Sequence, residues 1–236
     1  MTRPDTALET ASTAIRPFRV DVPEEDLVDL MGAQAPPGLI GLHTNFPGAV
    51  RPDVSAAVTS GGPAPSGLDD EGTRLYEKLR DFFATDVAYA LELATHPQTL
   101  YGIADSPVGL AAWMLDHDAT SLALIARVFD GQAEGLTRDD ILDNITHYWL
   151  TNTGVSSGRL YWENKLGFFD PKGVSIPVAV SVFPDELYQV PRGWAERAYP
   201  NLIHYNKLDK GGHFAAWEQP QLFSEEVRAG FRPLRS

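Results

Sequence analysis

The residues best equipped for chemistry lie near the C-terminal end, in Lys210-Gly211-Gly212-His213-Phe214-Ala215-Ala216-Trp217-Glu218. The stretch follows a strand-like run and a turn and precedes a helix-like one. Two glycines there can take backbone conformations closed to other residues, and they set His213 at the carboxyl end of a strand, where open α/β sheets hold their reactive groups. A neutral imidazole with an ordinary pKa of ~6.5 can accept a proton from water at neutral pH. A second strand end upstream, Phe183-Pro184-Asp185-Glu186, supplies carboxylates. One of these can orient the histidine and stabilise the imidazolium, and because Asp185 and Glu186 are neighbours, at most one faces His213. The bland reading is a packed histidine and solvated acids; the Gly-Gly turn after a strand favours a base–acid pair.

What such a pair serves is a nucleophile on a sharp strand-to-helix turn. The one formal match is Gly154-Val155-Ser156-Ser157-Gly158, in the chain order Ser156, acid, His213. The motif requires a strand directly before it, whereas His147 to Thr153 continues an amphipathic helix. Only ~30 residues separate it from the acid, room for about one strand–helix–strand unit. A serine esterase acting through Ser156 is therefore the least favoured function. Tyr89 and Tyr161 sit in a helical block, where tyrosines usually pack with a satisfied hydroxyl.

The elements that must position these groups follow from periodicity. Val178 to Phe183 is a β-branched run suited to a buried parallel strand. A short helix over 191–198 leads to a second strand, Leu202 to Asn206, and Pro220 opens a helix with Phe223, Val227 and Phe231 on one face. Gly38 to Thr44 reads as a further strand, and residues 47–70, rich in Pro, Gly, Ser and Ala, read as a connector. Between 71 and 169 the pattern is helical: Leu75, Leu79, Phe82 and Phe83 recur at helical spacing. Ser106-Pro107 caps an apolar run from Val108 to Phe129, and Thr137-Arg138-Asp139-Asp140 has the form of a capping box. Strand, helix, strand, helix after residue 177 makes an α/β protein carrying a helical cap.

Composition narrows the class. The chain has 236 residues, 43% of them hydrophobic, enough for a sizeable core. A net charge of −13 without a basic patch argues against nucleic acid. The absence of cysteine removes disulfides and thiolate metal sites, and the six histidines are scattered with no pair at i, i+4 spacing, so no metal or other cofactor is expected. No apolar run is long enough to span a bilayer, residues 1–14 read as a loose tail, and the cytoplasm is the expected location.

From residue 31 onward the chain resembles the epoxide hydrolase family of α/β-hydrolases, in the branch of the microsomal enzymes. The strings that carry the resemblance are Thr99-Leu100-Tyr101-Gly102-Ile103-Ala104-Asp105-Ser106-Pro107-Val108-Gly109-Leu110-Ala111-Ala112-Trp113, Phe183-Pro184-Asp185-Glu186 and Gly211-Gly212-His213-Phe214-Ala215-Ala216. Residues 15–30 resemble the start of that family's N-terminal domain. The resemblance implies His213 as the base that activates water, Glu186 as its orienting acid, and Tyr89 and Tyr161 as the paired cap phenols that hold the epoxide oxygen. The family reaction runs through an ester formed when an aspartate attacks carbon, and it implies a small hydrophobic epoxide as substrate. Relatives carry a long stretch between the counterparts of Leu30 and Met31, holding a His-Gly-Trp-Pro loop and a Gly-Gly-Asp-Trp-Gly elbow; neither string occurs here.

The expected organisation is thus an N-terminal tail and domain remnant (1–30), a core strand segment (31–50), a helical cap (51–170) and a C-terminal α/β core (171–236). Together the two core segments make a partial α/β-hydrolase fold of about three parallel strands with flanking helices. The expected function is that of an epoxide hydrolase relative impaired by loss of its nucleophile. The alternative is a non-catalytic binder of small hydrophobic molecules or a dimerising remnant, since a shortened sheet exposes a strand edge.

Overall fold

In the computed structural model, residues 32–116, 119–132, 135–163, 167 and 169–235 are described. The segment 1–30 and the junction at Met31 lie outside that set. The α/β part is a parallel sheet of three strands in the order β1 (Leu42–Thr44), β2 (Val178–Val182), β3 (Leu202–Lys207). The expected strand at 38–44 is extended only over its last three residues. Gly38 adopts a φ of 93° and Ile40 is exposed, so the run turns before it pairs.

Strand β2 is buried at all five positions, because both of its faces are covered. Val178, Val180 and Val182 point into one apolar core; Ala179 and Ser181, at alternate positions, point to the other face. The valine face packs against α1 (Pro52–Ser60) and α2 (Asp70–Thr85) through Val54, Val58, Leu75, Leu79 and Phe82. Each fully buried side chain of this size contributes about 1.5–3 kcal/mol. Helix α1 falls in the stretch expected to be a connector. Proline at its first position, valines at i, i+4 and a left-handed Gly61 at its end make a helix from small residues that pack closely.

The remaining elements up to β2 form a second apolar cluster. They are α3 (Ala88–Thr95), α4 (Tyr101–Asp105), α5 (Pro107–Leu115), α6 (Ala119–Phe129), α7 (Arg138–Thr151) and α8 (Arg159–Glu163). Leu93, Ile103, Leu110, Val128, Ile141 and Ile145 fill it. Both expected caps are present: the Ser106 hydroxyl accepts from the Gly109 N–H at 3.1 Å, and Thr137 and Asp140 cap one another reciprocally. Packing therefore groups the helices differently from one block at 51–170: α1 and α2 belong to the sheet, and the cap cluster begins near α3. Among the described residues no helix is long and apolar enough to cross a membrane.

After β2 come α9 (Arg192–Ala198), β3, a short α10 (Ala215–Glu218) and α11 (Pro220–Gly230). Helix α11 covers the second face of the sheet, and a polar cluster seats it there. Glu226 accepts from Ser181 Oγ, His204 Nε2 and Asn206 Nδ2, each at 2.9 Å. Since Ser181 gives its proton to Glu226, its oxygen accepts from Nε2 of His43, 2.9 Å away, which fixes that imidazole as the Nε2–H tautomer. Burial pulls the His43 pKa down to about 4, against the attraction of Glu226 and with the help of nearby His204. Burial alone would raise the Glu226 carboxyl, but its three donors and the attraction of His204 hold it below the ordinary value. One residue from each of β1 and β2 and two from β3 are thereby tied to one helix.

Candidate active site

All three strands run parallel, so their carboxyl ends meet at one edge of the sheet, and the groups singled out from sequence gather there. Pairing continues past β2 and β3 as a bridge between Asp185 and Gly212, with the Asp185 N–H on the Gly211 carbonyl at 3.1 Å. That bridge brings the two loops side by side. Gly211 has a φ of 102°, and a Cβ there would stand 2.8 Å from the Phe183 ring, so only glycine allows the approach. His213 Nδ1 consequently lies 2.7 Å from Glu186 Oε1.

Of the adjacent acids, Glu186 is the one engaged; Asp185 is exposed. Glu186 is 1% exposed, a burial that a charge tolerates only when its oxygens are satisfied. Oε1 accepts from His213 Nδ1 and from the Leu187 N–H at 2.8 Å, and Oε2 accepts from Asn45 Nδ2 at 3.1 Å. A proton held on Nδ1 by this carboxylate leaves the imidazole's accepting lone pair on Nε2, the arrangement of a general base.

Two supporting residues were not found from sequence. Asn45, directly after β1, donates from one amide nitrogen both to Glu186 and to the His213 carbonyl at 3.0 Å, so it clamps acid and base loops together. Glu218 brackets the histidine from behind, accepting from the Gly212 N–H at 2.7 Å and the Phe214 N–H at 3.0 Å. Its carboxyl is raised, burial outweighing the two hydrogen bonds, with Asp185 and Glu186 adding repulsion. The signal for Glu218 was its place five residues after His213 at a helix end. An isolated asparagine offers no such signal.

Tyr89 on α3 and Tyr161 on α8 face each other with ring centroids 5.8 Å apart. Gly158 makes this possible: a Cβ there would fall 2.4 Å from Leu93, so glycine lets the turn into α8 close on α3. Burial raises both phenols. The neighbouring phenol, by its charge and by hydrogen bonding, raises Tyr89 further, and the same hydrogen bond tempers the rise of Tyr161. Both phenols, His213 and Asn45 line one cavity of about 780 Å³, otherwise walled mainly by apolar cap side chains such as Leu110, Trp113, Ile141 and Ile145. Ser156 is not part of it. It is exposed in a 3₁₀ turn that follows α7 rather than a strand, and its hydroxyl donates to the Thr153 carbonyl.

No family model matches the chain. It is 41% identical over 209 residues to a protein of Stigmatella aurantiaca whose name places it among the epoxide hydrolases, covering 85% of this chain and 43% of that one. It is also 32% identical over 212 residues to the juvenile hormone epoxide hydrolase of Manduca sexta, covering 84% of this chain and 45% of the relative. The crystal structure of the juvenile hormone epoxide hydrolase of Bombyx mori superposes with a TM-score of 0.67 at 28% identity, over 88% of this chain and 53% of that one. The chain belongs to the epoxide hydrolase family. It spans about half the length of the curated relatives it matches. The three-stranded parallel sheet with flanking helices corresponds to part of the epoxide hydrolase structures. Among the described residues no group of three or more His, Asp or Glu side chains could hold a metal ion.

Proposed function

We propose that this chain carries the water-activating and oxygen-holding half of an epoxide hydrolase site and turns over epoxides negligibly by itself. In this reading the Tyr89–Tyr161 pair releases its internal hydrogen bond to hold an epoxide oxygen, where negative charge develops as the ring opens. His213, oriented by Glu186, removes a proton from the water that would hydrolyse an ester intermediate. The observation that carries the proposal is the 2.7 Å His213–Glu186 contact beside a cavity that the two phenols also line.

Impairment rests on what faces that cavity. Its carboxylates among the described residues are Asp116, at the end of α5, and Glu218, whose two oxygens are already engaged by backbone N–H groups. Neither is mounted on a strand-to-helix turn. Loss of a nucleophile costs on the order of 10⁶ in kcat in subtilisin. The purified chain should therefore form no diol from styrene oxide above the protein-free rate, as followed by chromatography. A rate comparable to that of an intact epoxide hydrolase overturns the proposal.

A second reading, a binder of small hydrophobic molecules, is favoured by the cavity's apolar walls. A sharp thermal transition that moves upward with a non-hydrolysable epoxide analogue supports it; an expanded species without fixed tertiary packing opposes it. Sedimentation would at the same time report whether the outer edge of β1, unpaired among the described residues, pairs with a second copy.

A further inference from the structure

The loop that carries His213 has little to fix it from within. Gly211 and Gly212 precede the histidine, and glycine has more backbone freedom to lose on ordering than any other residue. The imidazole is 31% exposed, so packing against Phe46 and Phe214 covers only part of it. Its place beside Glu186 therefore depends on how the main chain on either side is held. Asn45 donates to the His213 carbonyl at 3.0 Å. The N–H groups of the two flanking residues go to one side chain: Glu218 Oε2 accepts from Gly212 at 2.7 Å, and Oε1 from Phe214 at 3.0 Å.

The bland account of Glu218 is a helix cap. Its own N–H donates to the Phe214 carbonyl at 3.0 Å and its side chain returns to the Phe214 N–H, a reciprocal pair at the start of α10. Capping does not account for the second oxygen. Gly212 lies outside α10, and its contact is the shorter of the two. That contact exists because position 212 has no side chain: a Cβ there would stand 3.2 and 3.3 Å from the two carboxylate oxygens and 3.2 Å from the Asp185 carbonyl. Residue 218 is seated in turn by the loop before α7, where a Cβ on Gly135 would come within 2.8 Å of the Glu218 carbonyl oxygen. Two backbone donors aimed at two oxygens call for a carboxylate. A primary amide of the same shape has one acceptor and sets its own NH₂ against the other N–H.

We infer that Glu218 is a positioning residue for the water-activating base: by holding the N–H groups on both sides of His213, its carboxylate keeps the imidazole on Glu186. This role rests on reading His213 as that base. A displacement of about 1 Å at such a group costs on the order of 10²-fold in rate. The hydrogen bond itself can be read without any epoxide turnover, so the outcome is separate from that of the diol assay.

Proton NMR follows the His213 Nδ1–H in the full chain, in Glu218→Gln and Glu218→Ala, and in Thr137→Ala as a control on general stability. Its exchange with water should be at least about tenfold faster in both Glu218 variants and unchanged in Thr137→Ala. Equal exchange in Glu218→Gln and the parent reduces Glu218 to its shape and overturns the inference, as does the same acceleration in Thr137→Ala. A parent whose Nδ1–H exchanges freely removes the acid–base pair and this role with it. If neither Glu218 variant folds, amide exchange in the parent decides. Protection of Gly212 and Phe214 by at least about tenfold supports the grip, and exchange of both at the unprotected rate overturns it.

Discussion

Acidification should loosen helix α11 from the sheet, and the size of the effect can be worked from one histidine. His43 is held neutral among Ser181, Phe223 and Phe231, with its pKa pulled from 6.5 to about 4. The unfolded chain takes up a proton there as pH drops below 6.5, whereas the folded chain refuses it until about 4. This contribution to stability is complete above pH 6.5 and shrinks toward pH 4, by at most about 1.4 kcal/mol per pH unit for one proton. Integrated to pH 4.5 the loss is about 2.5 kcal/mol, and about 2 kcal/mol after allowance for the ring's partial exposure. That is a large share of the ~5–15 kcal/mol by which domains are stable. Glu226 acts in the same direction at lower pH. Its depressed carboxyl stabilises the fold above its ordinary 4.5, and that contribution is lost as pH falls through the folded value. Urea unfolding from pH 8 to 4.5 measures the total, and His43→Gln isolates the histidine, since glutamine can still donate to Ser181 but does not titrate. The stability difference between the two proteins should be flat above pH 6.5 and change by about 2 kcal/mol below it. A constant difference, or an NMR titration of His43 centred near neutrality, would refute the reasoning.

Other substitutions probe the site and its supports. Asn45→Ala leaves Glu186 Oε2 and the His213 carbonyl without their donor and should cost about 1–3 kcal/mol in urea unfolding. Asn45→Asp sets a second carboxylate against Glu186 and should cost more at pH 8, the excess disappearing in acid; parity of the two variants at pH 8 counts against the clamp. In Gly230→Ala the new methyl would stand 2.6 Å from Ala179 Cβ, so α11 must lift, with a loss of about 1–3 kcal/mol and protection lost from its amides by hydrogen exchange. Thr137→Ala should cost about 1 kcal/mol, felt in α7 and not in the sheet. Ser156→Ala should stay within about 0.5 kcal/mol of the parent and leave ligand binding unchanged.

What could be read from the sequence depended on how local the signal was. Val178 to Val182 announces itself because a strand covered on both faces must be apolar throughout, and the caps at Ser106 and Thr137 are complete within four residues. The His213–Glu186 pair was legible as two glycine- and proline-marked strand ends, and Tyr89 and Tyr161 only through the family resemblance. Helix α1 was hidden by composition: Pro, Ser, Ala and Gly suggest a connector until Val54 and Val58 are seen to share a face. The Gly38 to Thr44 run looked like seven residues of strand, since apolar character says nothing of where pairing begins. Glu226 and its partners come from three elements, and an asparagine after a short strand carries no pattern, so these contacts exist only once the chain has closed.

The cavity stands between the cap cluster and the carboxyl edge of the sheet: Leu110, Trp113 and Ile145 on one side, Asn45, His213 and Phe223 on the other. A hydrophobic guest would thus behave as a missing piece of interior shared by both halves, a mortar joint rather than a passenger. Empty, the cap can open with its own low free energy while the sheet stays shut; filled, the two should melt as one unit, with the guest setting the sharpness of the transition.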